Sequence, residues 1–170
     1  MDKLSDFTIR VATPQDASAV TTVLKASYSV LMPAKYDPAI LEAVLPVTTQ
    51  ANPKLLQSGT YYVAETASHQ IVGCGGWTHE RPGNGEVESG LGHIRHFATH
   101  PDWIGRSVGR SIYEACERAA RAAGVKAFEC FSSLNAEGFY AALGFEMIRR
   151  VEVRMGNGQM LPSILLRRYI

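Results

Sequence analysis

The sequence predicts a single α/β (α+β) domain on a mixed, mostly antiparallel central sheet flanked by helices, and three observations predict it. Residues 60–65 (TYYVAE) and 71–78 (IVGCGGWT) are strand-like and flank the polar Ser68-His69-Gln70, the pattern of an antiparallel hairpin. Residues 93–99, a glycine-bearing turn, an amphipathic helix and residues 125–131 make a strand–helix–strand crossover, which places those two strands parallel. Residues 146–155 and 161–170 form a closing hairpin across Gly156-Asn157-Gly158.

The remaining elements follow in order. Residues 7–12 read as a first strand. Thr13-Pro14-Gln15-Asp16 then starts a helix, with Thr13 as N-cap, proline in the first turn and an acid three residues on. Ala17, Val20, Val23 and Leu24 form its apolar stripe. Residues 28–36 (YSVLMPAKY) read as a loop rich in large side chains. Asp37-Pro38 caps a second helix, with Ile40, Leu41, Val44 and Leu45 inward and Pro46 at its end. Asn52-Pro53 opens a short helical turn that stops at Gly59. In the strand at 71–78, Gly73, Gly75 and Gly76 mark a bulge or close packing. Residues 81–92 are a polar, glycine-rich loop. The helix after the turn buries Val108, Ile112, Ala115, Cys116, Ala119 and Ala123, and Gly124 caps its end. Asn135 can cap a short helix that Gly144 terminates. There is no internal repeat, so residues 1–170 are expected to form one domain.

Composition narrows the function. A net charge of +1 without a basic stripe argues against a nucleic-acid or membrane-surface binder. No apolar run approaches the roughly 20 residues of a membrane span, and the first ten residues lack a signal peptide's apolar stretch. Cys74, Cys116 and Cys130 cannot all pair internally and form no CxxC, so reduced thiols in a cytoplasmic protein are expected.

The informative stretch is HIRHFATHPDWIGRSVGRSI, residues 93–112. A strand feeding a glycine turn that opens a helix leaves free N–H groups at the positive end of the helix dipole, a site for phosphate or pyrophosphate. Arg106 and Arg110 add positive charge beside it. The spacing fits neither a P-loop nor a dinucleotide-binding turn. The run Ile104-Gly105-Arg106-Ser107-Val108-Gly109, led by HPDW, instead resembles the acetyl-coenzyme A motif of the GCN5-related N-acetyltransferase (GNAT) superfamily, Gln/Arg-x-x-Gly-x-Gly/Ala. Ile104 stands in the Gln/Arg slot and Ser107 in the middle glycine slot. If that slot needs φ > 0, serine there costs on the order of 1–2 kcal/mol.

A second run, Asn135 to Phe145 in the pattern N-x-x-G-F-Y-x-x-x-G-F, resembles the family's short helix carrying F-Y before a G-F that opens the next strand. Together the two motifs span residues 93–145, and the element order fits the family along nearly the whole chain. The resemblance implies an N-acetyltransferase in which two central parallel strands splay around acetyl-CoA, a co-substrate whose pantetheine bonds the backbone near Phe97, Ala98 and Thr99. It implies direct attack of an amine on the thioester through a tetrahedral intermediate, with a strand N–H such as that of Ala98 on the oxyanion. The acceptor, a small-molecule amine by expectation, is not named by the sequence.

For the candidate catalytic residues, competing readings stay open. The resemblance places His93 where a general base sits, against a strand histidine that bonds locally. Glu86 and Glu88 are rivals that reach through water, against solvated loop charges. Tyr140 occupies the position of a donor to the leaving sulfur, against a packed tyrosine, with Phe139 taking the core position. Asn135 is an N-cap or a coenzyme contact. Tyr28, Met32 and Tyr36 wall the acceptor site or pack in a core or dimer interface. No metal is expected: His93 and His96 would face opposite sides of a regular strand, and His96 and His100 sit roughly 13 Å apart at ~3.3 Å per residue. Two other classes remain, a catalytically weak acyl-CoA-binding module and an interaction subunit that forms a homodimer through the C-terminal hairpin.

Overall fold

In the computed structural model, which describes residues 6–170, strands β1 (Phe7–Val11), β2 (Tyr61–Thr66), β3 (Ile71–Thr78), β4 (Leu91–Thr99), β5 (Ala127–Ser133), β6 (Glu146–Arg154) and β7 (Met160–Tyr169) form one sheet. Residues 1–5 of the expected domain lie outside the described residues. The strand order is β1-β2-β3-β4-β5-β7-β6, and every pairing is antiparallel except β4 with β5. That parallel pairing covers only Leu91–His93 against Ala127–Glu129, after which the strands part. The expected mixed sheet with two splayed central strands is therefore present.

Helices α1 (Ala17–Leu31), α2 (Pro38–Thr48) and α3 (Pro53–Gln57) pack on one face, and α4 (Val108–Ala122) and α5 (Glu137–Ala142) on the other. The α4 face buries Trp77, Ile94, Ile112, Tyr113, Phe128 and Ile164, and the α1 face buries Val20, Leu24, Tyr61, Val63 and Cys74. No helix among the described residues is long and apolar enough to cross a membrane.

Several local expectations change. Residues 28–31 continue α1 rather than forming a loop, because Ser27, Tyr28 and Met32 prolong its inward stripe until Pro33 tightens the chain into a 3-10 turn. Pro46 lies inside α2 and does not end it. Its missing N–H costs one bond in the last turn, and the Thr49 N–H still reaches Leu45 O at 3.1 Å. In α4, Tyr113 and Ala120 are buried, whereas Ala123 lies beyond the helix end and is exposed. β4 begins at Leu91, two residues earlier than expected, and β5 runs over Ala127–Ser133 rather than from residue 125. Thr13 is the N-cap of the first helical turn, as expected, in a capping box whose Asp16 carboxylate accepts the Thr13 N–H at 2.8 Å and also pairs with Arg10.

The glycines of β3 mark close packing. A Cβ on Gly73 would lie 2.4 Å from Val108 Cγ1 of α4, and one on Gly75 would enter the Phe97 ring at 2.5 Å. At Gly76 the obstruction is backbone, with Thr60 O at 2.4 Å and Tyr61 Cα at 2.6 Å. Gly76→Ala must therefore displace β2 and is expected to destabilise the fold by about 3 kcal/mol. Gly138→Ala in α5, whose Cβ would meet nothing within 4 Å, is expected to stabilise it by about 0.5–1 kcal/mol. Thermal melts of the two variants check both signs.

Candidate active site

The site begins where β4 leaves the ladder. β3 pairs Cys74 with Ala98 but Gly76 with Arg95, so β4 holds one extra residue between them. The extra residue is accommodated at His96, whose φ of 54° is left-handed. Two tyrosines hold this bulge: the Tyr61 hydroxyl donates to His96 O at 2.8 Å, and that of Tyr28 donates to Phe97 O at 2.9 Å. The bulge also turns His96 to the α1–α2 face, where its Nε2–H donates to Thr48 O at 2.7 Å. His96 thus shares a face with His93, against the alternation expected of a regular strand. Among the described residues, no group of three or more His, Cys, Asp or Glu side chains could hold a metal.

The ladder fixes the amides as well. The His100 N–H bonds Val72 O, so alternation makes Ala98–Cys74 the next hydrogen-bonded pair and turns the Ala98 N–H toward β3. Ala98 lines the cleft, but its amide is not available to an oxyanion there. The Thr99 amide, one residue on, faces the other way.

After β4 the chain makes a 3-10 turn, Pro101–Trp103, and reaches α4 through Gly105 at φ 79° and Ser107 at φ 64°, ψ 20°. Ser107 is in the left-handed conformation that its motif slot demands. It is the N-cap of α4 but makes no side-chain cap bond, which leaves the first-turn amides for a ligand. Gly109 brings the helix against Phe139, 2.8 Å from where its Cβ would be. Ile104, Gly105, Ser107, Val108, Gly109 and Arg110 all line the cleft. Arg106 does not line it, because its guanidinium stacks over Trp103 at 4.6 Å, and Trp103 in turn packs edge-on against Phe7.

The opposite wall is β5 and α5. Cys130, Ser132, Asn135 and Tyr140 line it. Asn135 sits in a 3-10 turn, the N-cap of α5 is Ala136, and the Asn135 Oδ1 is buried without a partner. Asn135 is thus a free acceptor in the cleft wall and not a helix cap. Tyr140, not Phe139, is the buried member of the F-Y pair, at 5 % exposure, and it packs against Phe97, Phe139 and Phe145. Burial, with the Cys130 and Tyr28 side chains nearby, pushes its hydroxyl pKa well above the ordinary value.

On the α1–α2 face, Tyr28 and Met32 line the cleft. Tyr36 is absent from the lining because its hydroxyl is used structurally, donating to Pro162 O at 2.6 Å and accepting from the Leu134 N–H at 2.9 Å. His93 lies at the closed apex beside Glu129, 2 % exposed and outside the lining, its pKa lowered mainly by burial. Glu86 and Glu88 are exposed on the loop before β4, and neither lines the cleft.

The sequence reading missed His96, which does line the cleft and whose pKa burial lowers. The Thr48 carbonyl fixes the proton on Nε2 and leaves Nδ1 basic. It also missed Arg81, Arg95, Arg149 and Arg154 in the lining. They come from three separate segments with no motif, so no local signal marks them. The cleft measures about 1260 Å³, larger than a typical single-ligand pocket and roomy enough for a coenzyme arm plus an acceptor. The uncapped α4 N-terminus, Arg110 and the unbonded Asn135 Oδ1 fit a phosphorylated ligand with amide donors.

Comparison with known proteins agrees with this geometry. Residues 57–147 match the model of the acetyltransferase (GNAT) domain family. A GCN5-related N-acetyltransferase from Rhodopseudomonas palustris, also described as a class-II aminotransferase, superposes with a TM-score of 0.79 at 25 % identity, over 98 % of this chain and 97 % of that one. The PaiA N-acetyltransferase of Thermoplasma acidophilum, in complex with coenzyme A, gives 0.70 at 13 % identity over 96 % and 99 %. A GNAT family acetyltransferase of Brucella melitensis, in complex with acetyl-CoA, gives 0.59 at 18 % over 98 % and 89 %. No curated protein sequence matches. The family model covers more than half of the chain, and its fold, turn and helix order are those built above: the chain belongs to the GNAT acetyltransferase family.

Proposed function

We propose that residues 1–170 act as one acetyl-CoA-dependent N-acetyltransferase domain that moves an acetyl group to a primary amine. One observation carries this reading. β4 and β5 part after His93 and Glu129, and the gap is walled by the uncapped N-terminus of α4 on one side and by Tyr140 on the other. The pyrophosphate lies on the Gly105–Arg110 turn, held by first-turn amides and Arg110. The pantetheine runs between β4 and β5, with Asn135 Oδ1 accepting from one of its amides. This delivers the thioester to the bulge at His96 and Phe97.

The amine then attacks the thioester carbonyl carbon, and the tetrahedral oxyanion takes its hydrogen bond from an amide of β4 that faces the cleft rather than from Ala98. His96, with Nδ1 unprotonated, accepts the proton that nitrogen loses as the C–N bond forms. When the adduct collapses, the C–S bond breaks and the sulfur leaves toward Tyr140. A hydroxyl with a raised pKa is a poor proton donor to a thiolate whose thiol has a pKa near ~8.5, so Tyr140 stabilises the thiolate chiefly by hydrogen bonding. Holding both substrates in one cleft supplies much of the rate. Thiol release from acetyl-CoA with a panel of amines tests the reading, and coenzyme binding without any turnover would favour the acyl-CoA-binding module instead.

Three variants resolve the roles. Arg110→Ala is expected to weaken acetyl-CoA binding roughly 10–100-fold, the worth of a charge-assisted contact, while Arg106→Ala changes it little. Calorimetry on both variants would reveal the reverse order and so move the phosphate site. Tyr140→Phe keeps the ring and removes the donor, so turnover should fall by roughly 10²–10⁴-fold with acetyl-CoA affinity nearly intact. An unimpaired rate ends the case for Tyr140.

The protonated His96 cannot accept a proton, and burial lowers its pKa. Activity should therefore climb with pH along a limb below the usual histidine value of ~6.5, distinct from the later rise as the acceptor ammonium, near ~10.4, loses its own proton. His96→Asn, tolerated at φ 54°, should abolish that limb. If the limb survives in His96→Asn and vanishes in His93→Ala, the role returns to His93.

A further inference from the structure

The cleft wall carries an electrostatic imbalance that the acetyl-transfer chemistry does not use. Arg81, Arg95, Arg110, Arg149 and Arg154 line it, against one carboxylate, Glu152. Arg110 belongs to the coenzyme turn. Three of the others lie on the acceptor face. Strand register places Thr78, His93, Glu129, Arg167 and Glu146 in one row across the sheet, and Phe131, Leu165 and Arg149 in the next. Arg95, two residues beyond His93, shares that face, and the Arg81 guanidinium lies over the Phe131 ring at 5.3 Å. This is the side of the sheet that α1 and α2 cover nearer β3 and β4.

These arginines have no carboxylate partner. Glu129 is taken by Arg167 at 2.6 Å, and among the described residues no carboxylate lies within 4 Å of Arg81, Arg95 or Arg149. Glu80, Glu86, Glu88 and Glu146 are exposed, and Glu80 acts on Arg95 through space without pairing with it. Arg95 is half-buried, and among the described residues its guanidinium bonds only the Thr78 hydroxyl, at 3.0 Å. A guanidinium taken partly out of water without an anion is costly, and the cost is recovered when an anion arrives. The guanidinium forks match a carboxylate in two-bond geometry.

An acceptor amine is cationic in water, so a wall with this sign repels a simple alkylamine or polyamine. From this juxtaposition of unpaired arginines on the acceptor face we infer that the acceptor is an amine that also carries a carboxylate, held by Arg81, Arg95 and Arg149 with its amino group toward the bulge at His96. The inference rests on the N-acetyltransferase reading and narrows it from amines in general to amino acids and related amino carboxylates.

The test pairs ω-amino carboxylates and α-amino acids with alkylamines of equal length and with spermidine, all at saturating acetyl-CoA. The amino carboxylates are expected to be acetylated at least tenfold more efficiently in kcat/KM. Arg95→Gln should raise their KM roughly 10–100-fold, with a smaller effect on kcat, and should leave the KM of alkylamines unchanged or lower. Arg149→Gln, on an exposed strand, should act in the same direction with folding untouched. Equal or better use of butylamine or spermidine by the parent protein overturns the inference and leaves N-acetyl transfer standing. Loss of acetyl-CoA affinity in Arg95→Gln, read by calorimetry, also overturns it by assigning the charge to the coenzyme. Bound acetyl-CoA with no amine turned over sinks the N-acetyltransferase reading itself, and the inference with it.

Discussion

Beyond His93 and Glu129, β4 and β5 exchange no ladder bonds, and the backbone groups on their inner edges must find partners elsewhere. This unmet requirement organises the rest of the molecule. On the β4 side the strand takes an extra residue at His96, and two tyrosine hydroxyls from α1 and β2 reach in to bond His96 O and Phe97 O. On the β5 side the chain leaves the sheet into the 3-10 turn bearing Asn135, whose Oδ1 stays buried and unbonded. A gap of this kind inside a sheet leaves its edge groups to water or to a ligand with amides and carbonyls of its own.

The same economy explains the aromatic packing on the α4 face. Phe97, Phe139, Tyr140, Phe145 and Tyr113 form a chain of tilted and edge-to-face contacts with centroid separations of 5.0–6.2 Å. The rings fill the region where the parted strands would otherwise leave a void, and they hold Tyr140 through its ring. The Cys130 thiol beside it is itself pushed up to about 12 by burial, so it stays a neutral neighbour. A dry surround of this kind weakens Tyr140 as an acid and strengthens any hydrogen bond it makes to a developing thiolate.

Charge is distributed unevenly across the sheet. Away from the cleft, several arginines are paired: Arg10 with Asp16 and Glu65, Arg167 with Glu129, and Arg168 with Glu117. The Arg10 network ties β1, the first turn and β2 together, and it holds the Asp16 carboxyl below its ordinary pKa chiefly through the hydrogen bond from Arg10. Stability from that carboxylate is present above the unfolded value and is lost as pH falls through the lowered one. Inside the cleft the arginines stand apart from carboxylates, so a bound anion finds donors that no internal partner has claimed.

The sequence by itself determined the kinds of elements and their order. Hydrophobic period, capping residues and turn glycines are local properties, so the two hairpins, the crossover through α4 and the left-handed slot at Ser107 could all be read from neighbouring residues, as could Gly105, Gly109, Arg110, Tyr140 and the family they signal. Tertiary structure decided what depends on contacts between distant residues. Tyr36 reads from sequence as an acceptor-site residue, but its hydroxyl bridges Pro162 and Leu134, 126 and 98 positions away. His93 fell at the apex because the parallel pairing runs as far as Glu129. His96 reached the cleft only because a bulge broke the alternation on which sequence reasoning relies. The arginine wall was assembled from the loop before β4, from β4 and from β6, segments that share no local pattern and meet only through the register of the sheet.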